Sequence, residues 1–563
     1  MPTFIIGNCE VIPLKEYIMF YPHSIEKSSL PKLKRIMTNF SVGNKVDFRS
    51  FFDVLINRLV LGDNNAHPRS GSLALVDHLL SESDLYANNS LFRDFEDGQR
   101  EKVGPYSIRL PFTEVVLRGP CEYYAPFDSP VSFDKSIFEE AVLSVKRLIP
   151  PSSLRRLTLT EALNRSEKTT QWGLPYLLKG NDLVNGTQAC NLYYNIALSD
   201  LQRGKVTWFP NVMFMRTQPS GTDIPKQRIA FGVPHSIILL ESTVQIPALE
   251  ALKYFPQFCE NLSSSSTDLY ATALFKECKD SGNNIIGFDA SGYDKTISSD
   301  LIRAAYSCLS SWFSESDSWL INELCEFMIK SDLVTPIGVF TGRSKGVASG
   351  SALTNMVDSL CQYILHEYTR IKLNVTHCPI PTFQGDDGVW AIPGLNQHLL
   401  SQIMSEFNII VNPDKVSCSP FYFTYCQRLY LHDYSVNGIN VGIRSAFRVI
   451  NSIVSYERRR KEGWTGAHDS VRVLSQLIGL ENNPIHFNLT LKLIEADTKY
   501  GLGTRCQAGL RGLFVEVGGF NSMVELAGIS SWDRDKLFTI SKRLYQFETV
   551  KIIQSILLDK PLQ

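Results

Sequence analysis

The stretch Ile380-Pro381-Thr382-Phe383-Gln384-Gly385-Asp386-Asp387-Gly388-Val389-Trp390-Ala391-Ile392 sets two adjacent carboxylates between two short apolar runs. It predicts a β-hairpin with Asp386 and Asp387 at its tip. Neighbouring strand residues point to opposite faces, so a tight turn is what lets both carboxylates serve one site. Gly385 and Gly388 offer the backbone freedom that such a turn demands. Acids placed this way suggest a divalent cation. The tripeptide alone is weak evidence, because Asp-Asp pairs in turns are common and are usually just solvated.

A second acidic element lies upstream: Ile285-Ile286-Gly287-Phe288-Asp289, with Asp294 five positions later. It reads as a buried strand ending in a carboxylate. Ser291, Gly292 and Tyr293 break the strand. Ser298, Ser299 and Asp300 offer caps for a helix carrying Ile302, Ala305, Leu309 and Phe313, so Asp294 falls in the strand-to-helix connection. A carboxylate at a strand end beside a pair on a hairpin tip is the geometry that clamps two Mg²⁺ ions roughly 3.5–4 Å apart for in-line phosphoryl displacement.

Between these lies Ala348-Ser349-Gly350-Ser351-Ala352-Leu353-Thr354-Asn355, a small-residue loop. Its continuation carries Val357, Leu360, Cys361, Ile364, Leu365 and Tyr368 on one helical stripe, with Thr354 and Asp358 one turn apart on another side. Hydroxyls and a carboxylate therefore gather at a helix N-terminus. Such an end holds polar or anionic groups, although a Ser/Thr-capped helix has the same appearance.

In this order, Asp289 with Asp294, then Ser349, Gly350 and Thr354, then Gly385, Asp386 and Asp387 resemble motifs A, B and C of the viral RNA-dependent RNA polymerases. The wording, with Asp289-Ala290-Ser291 in the first motif and Asp358-Ser359 in the second, is most similar to the picobirnavirus and partitivirus group of double-stranded RNA viruses. Between Arg203 and Leu240, five basic residues (Arg203, Lys205, Arg216, Lys226, Arg228) face one acid, Asp223. This segment resembles motif F, with Lys226 and Arg228 matching its core and Arg216 as upstream partner. Thr169, Thr170, Gly173 and Pro175 are similar to motif G, a template-guiding loop. Leu399, Leu400, Ile403, Met404 and Phe407 mark an amphipathic helix, followed by the turn Asn412-Pro413-Asp414 and Lys415. That arrangement resembles motif D, whose lysine is thought to protonate leaving pyrophosphate, a general-acid role worth about 10²–10⁴-fold. The aromatic stretch Phe421 to Tyr430 resembles motif E; aromatics at strand spacing are usually core, and no chemistry is assigned to them.

At 563 residues, with 44% hydrophobic, the chain exceeds one compact core and is expected to form several subdomains. Its net charge of −1 conceals patches. Residues 442–461 hold Arg444, Arg448, Arg458, Arg459, Arg460 and Lys461 against Glu457 alone. Such a run is usually a solvated face, but in a thumb it would follow the exiting duplex, whose phosphates attract basic side chains irrespective of sequence. The twelve cysteines show no Cys-x-x-Cys pair and no Cys/His zinc spacing, which suggests neither a disulfide framework nor a structural zinc and fits a reducing compartment. No apolar run approaches the ~20 residues needed to cross a bilayer.

The resemblance implies an α+β right-hand fold of fingers, an antiparallel palm sheet backed by helices, and a helical thumb. Expected bounds are 1–130 for an N-terminal segment bridging fingers and thumb, 131–275 for fingers, 276–435 for palm with a finger insertion at about 314–345, and 436–563 for thumb. It implies that Asp289 and Asp386 hold two Mg²⁺ ions, Mn²⁺ being a possible substitute, with Asp387 in support. Lys226 and Arg228 would hold the incoming ribonucleoside triphosphate. Asp294 sits where family members place a small group that accepts a hydrogen bond from the ribose 2′-hydroxyl. Asp358 replaces the asparagine of picornavirus-type enzymes; two close carboxylates repel and raise a pKa, so Asp358 would contact the 2′-hydroxyl, bind through water or share a proton. Implied partners are template and product RNA, nucleotides and a viral capsid protein, without a membrane, for a monomer in the virion interior and host cytoplasm. Two rival readings are a reverse transcriptase or other metal-dependent phosphotransferase, and a non-catalytic RNA-binding or capsid-associated protein. Asp294 in place of an aromatic gate argues against the first, and intact Asp289, Asp386 and Asp387 against the second.

Overall fold

Ile285–Phe288 form a strand buried at every position, because it lies between two neighbours in a sheet and packs against the strand Tyr422–Tyr425. The structure, a computed structural model, describes residues 4–6, 8–12, 41–42, 45–46, 70–103, 119–184, 186–217, 227–288, 290–335, 337–413, 416–454, 473, 476–477 and 479–492. The sheet is four-stranded and antiparallel, in the order Thr382–Gln384, Asp387–Trp390, Ile285–Phe288, Ser417–Ser419. Its register sets Phe288 opposite Gly388 and Ile286 opposite Trp390. Phe288 and Trp390 stack with centroids 5.1 Å apart. The strand end that leads into the acidic connection is thereby fixed against the strand that begins with Asp387.

Thr354–Lys372 is a helix packed against this sheet on one side and against the helices Lys135–Lys146 and Ser299–Trp312 on others. The single apolar stripe expected from its sequence is therefore incomplete as a description. Asp358, Ser359, Gln362 and His366 are buried along with the apolar residues. Ser299–Trp312 starts where expected, with the Ser298 hydroxyl accepting the Leu301 N–H at 3.3 Å. Asn396 caps Gln397–Ser405, which buries Leu400, Ile403 and Met404.

A six-stranded sheet runs in the order Phe4–Ile6, Cys9–Ile12, Gly338–Phe340, Leu333–Thr335, Asn211–Thr217, Gln227–Gly232. The last two strands carry Arg216 and Arg228. The N-terminal pair joins through Val339 opposite Ile12 and Phe340 opposite Val11.

Two units make up the chain. The first takes in Met1–Gly62, Leu110–Arg216 and Gln227–Cys426; the second takes in Asp63–Arg109, Thr217–Lys226 and Gln427–Gln563. Within the second, Glu96 of the helix Ser90–Arg100 is buried and accepts from the Ser445 hydroxyl at 2.6 Å, the Ala446 N–H at 3.0 Å and the Asn483 amide at 2.8 Å. It thus satisfies the start of the helix Ala446–Val454 from outside.

Candidate active site

Gln384 pairs with Asp387, so the hairpin loop is the two residues Gly385 and Asp386. Gly385 takes φ +65°, the first-position glycine that closes a two-residue turn with the twist of its strands. Gly388 is different from expectation: it has no left-handed backbone, and a Cβ there would stand 2.0 Å from Gln362 Oε1. Its smallness makes room for a helix side chain. The Ser359 hydroxyl accepts the Gly385 N–H at 2.8 Å, and the Gln362 amide donates to the Gly385 carbonyl at 2.9 Å. Both backbone groups of Gly385 are therefore held by the Thr354–Lys372 helix. Sequence reasoning missed this pair; the signal was a polar row at Asn355, Ser359 and Gln362, spaced by four and three within a run otherwise read as apolar.

Asp294 lies in a one-turn helix, Tyr293–Thr296, between the central strand and Ser299–Trp312. Asp294, Asp358 and Asp386 come within electrostatic reach of one another. Burial, then Asp386, raises the Asp294 carboxyl above its usual range, while Arg228 and Lys295 pull it back. Asp358 is 3% exposed. Burial, then Asp294 and Asp386, pushes its carboxyl well above the carboxylate range, and its Oδ1 has no hydrogen-bond partner. The expected repulsion thus falls hardest on Asp358, whose protonated form can donate a hydrogen bond.

The loop 346–354 is tied on both sides. On one, Gly346 N–H donates to the Ile297 carbonyl at 2.7 Å and Val347 N–H to the Asp294 carbonyl at 2.8 Å. On the other, the Phe231 N–H donates to the Ser349 hydroxyl at 3.2 Å. Gly350 lies so close to that strand that a Cβ would meet the Phe231 carbonyl oxygen at 1.9 Å. Thr354 donates its hydroxyl to the Ala348 carbonyl and closes the loop on itself. Of the expected hydroxyls, Ser349 is exposed and Thr354 is half-buried.

Arg228 is exposed on its strand and acts on Asp294, so the basic segment and the acids meet. Asp289, Lys226, Lys415 and Arg458, Arg459 and Arg460 lie outside the described residues, as does the side chain of Arg216. Val411 bridges Ala290, and the Ser291 N–H donates to the Ile410 carbonyl at 3.0 Å, which brings the stretch before Lys415 beside the acidic connection. Thr169 and Thr170 are exposed, Thr169 donating its hydroxyl to Glu167 at 2.6 Å; Gly173 and Pro175 are buried and shape that loop from within. In the second unit, Arg428 and Arg444 stand directly opposite each other on paired strands. Burial, then Arg428 and Arg448, pushes Arg444 down to about 10.

Among the described residues no three metal-ligating side chains converge closely enough to cage an ion. The donors on the hairpin and the connection are nonetheless all carboxylate oxygen, the chemistry a hard divalent cation prefers, and their mutual repulsion is what such a cation relieves.

A family model described as viral RNA-dependent RNA polymerase matches residues 134–478. A protein described as a potential RNA-dependent RNA polymerase, from Human picobirnavirus (strain Human/Thailand/Hy005102/-), is 26% identical over 422 residues, covering 73% of this chain and 77% of the relative. The crystal structure of the RNA-dependent RNA polymerase of a human picobirnavirus matches with TM-score 0.70 at 21% identity, over 92% of this chain and 99% of that one. An insertion-loop deletion mutant of a human picobirnavirus polymerase matches with TM-score 0.70 at 20% identity, over 90% and 96%.

Proposed function

The chain belongs to the viral RNA-dependent RNA polymerases, and from that premise we propose that it replicates and transcribes a double-stranded RNA genome by two-metal transfer of ribonucleotides to a growing RNA 3′ end. The observation that supports this most is the meeting of Asp386, on a hairpin tip pinned to a helix, with Asp294 and Asp358 from two other segments. Asp386 and Asp387 with Asp289 would hold magnesium, which when bound acidifies the 3′-hydroxyl and neutralises charge developing on pyrophosphate. Arg228, with Arg216 and Lys226, binds the triphosphate. Asp294 accepts from the ribose 2′-hydroxyl, and protonated Asp358, within its electrostatic reach, supplies a donor to that hydrogen-bonded set. Lys415 serves as general acid, and Thr169 and Thr170 meet the template. Fingers, palm and thumb take the bounds given from sequence.

The partners in this reading are template and duplex RNA, nucleotides and a capsid protein, with a monomer acting in the virion interior and host cytoplasm. No described helix is long and apolar enough to cross a membrane.

Purified protein with Mg²⁺ and a primed RNA template tests the specificity. Ribonucleotides are expected to exceed deoxynucleotides by about 10²-fold or more in kcat/KM, because a site built to pair a hydroxyl rejects the analogue lacking it. Asp294→Ala should move the ratio toward parity. Equal extension by both nucleotide types in the wild-type protein removes ribose selection from the reading.

The basic run 442–461, with Arg458, Arg459 and Arg460 as the proposed RNA ligands, would meet product phosphate, and a phosphate would also relieve the repulsion between Arg428 and Arg444. Arg444→Gln should weaken RNA binding and lower the slope of log affinity against log salt by about 0.7–0.9, one phosphate contact. A slope equal to wild type means that Arg444 meets no phosphate.

A further inference from the structure

Glu241 is fully buried in the helix His235–Leu252, in the first unit, and its two carboxylate oxygens face the loop that precedes Thr354. The Ser351 hydroxyl donates to Oε1 at 2.7 Å and the Ala352 N–H donates to Oε2 at 2.9 Å. The Leu353 N–H in turn donates to the Ser351 hydroxyl at 3.1 Å. Leu353 stands at the N-cap of Thr354–Lys372 without a side-chain cap of its own. The amides of Ala352 and Leu353, which lead into that long helix, are therefore served by a relay that ends on Glu241, and a negative group at this end also meets the positive pole of the helix.

A carboxylate is among the costliest groups to bury. Burial pushes Glu241 up to about 7, with the two hydrogen bonds drawing it back. A merely structural contact to one hydroxyl and one amide needs no such group. The same segment, residues 227–252, also supplies Arg228 and the Phe231 N–H that binds Ser349. It thus holds the loop at two points and presents a triphosphate ligand beside it.

We infer that Glu241 is a positioning residue for nucleotide selection, fixing through Ser351 and Ala352 the loop that presents Ser349 toward the incoming ribose. This rests on the polymerase reading for its nucleotide, and on the geometry alone for the clamp. Glutamine at this position keeps the size but turns one acceptor into a donor that opposes the loop.

The test uses full-length Glu241→Gln and Ser351→Ala, singly and together, with thermal unfolding as the folding control. Glu241→Gln is expected to raise KM for the ribonucleotide about tenfold, the scale of one charge-assisted hydrogen bond, and to narrow ribose discrimination, while kcat and RNA affinity hold. Amide hydrogen exchange at Ala352 and Leu353 should quicken by a similar factor. Ser351→Ala should reproduce part of each effect, and the pair should be less than additive. KM and exchange equal to wild type would overturn the inference, as would a parallel fall in kcat, RNA affinity and melting temperature, the mark of a purely structural role. The exchange readout needs no synthesis: a wild-type protein that fails to extend a primer sinks the polymerase reading, while Glu241 is still judged by its amides.

Discussion

Asp386→Asn is expected to lower RNA synthesis by about 10³-fold while leaving RNA affinity and thermal stability unchanged, since preorganised charge at the reacting centre is usually the largest catalytic term. The side chain is exposed at the second position of a two-residue turn, so an isosteric amide disturbs no packing. What it removes is one negative charge from a group of acids that feel one another. Primer extension with saturating template measures the loss, and fluorescence anisotropy with labelled RNA measures the binding. A second consequence follows from sign: because Asp386 raises the Asp294 and Asp358 carboxyls, its neutralisation should lower both, an effect visible by carboxyl-carbon NMR titration. Wild-type synthesis in this variant would take Asp386 out of the chemistry.

Gly350→Ala is expected to cost about 10²-fold in kcat/KM, the penalty for misplacing a site element by about an ångström. The added methyl would meet the Phe231 carbonyl oxygen at 1.9 Å and its carbon at 3.1 Å, and a strand carbonyl cannot swing away as a side chain would. The loop must withdraw, and withdrawal breaks the 3.2 Å bond from Phe231 to Ser349. Overpacking of this kind destabilises by about 1–3 kcal/mol, which urea unfolding reads as a lower midpoint at constant slope. An alanine variant as active and as stable as wild type would show that loop and strand do not approach so closely in the working protein.

The hairpin and the strand before Asp289 were legible in sequence because short apolar runs of strand length, with Gly385 marking the turn, pointed the same way at 285–288 and 382–390. The Ser298 cap and the helix after it were legible for the same reason. The way the site is held together was not. Ser359, Gln362 and Glu241 are polar residues inside helices whose apolar neighbours dominate any periodicity, and their partners lie far away in sequence: Gly385 for the first two, Ala352 for the third. Gly388 was read as a flexible residue because composition cannot distinguish a glycine that bends from one that makes room. The burial of Asp358 likewise goes with segments distant in sequence, the Tyr293–Thr296 turn and the hairpin tip, which no local pattern announces.

The grip of Ser359 and Gln362 on Gly385 gives the molecule a fixed datum. A turn whose glycine has both its N–H and its carbonyl spoken for cannot slide without rupturing two interior bonds at once, so the tip that carries Asp386 behaves as an anvil. Asp386 is thereby presented at a place set by the Thr354–Lys372 helix, and whatever binds against it must come to it.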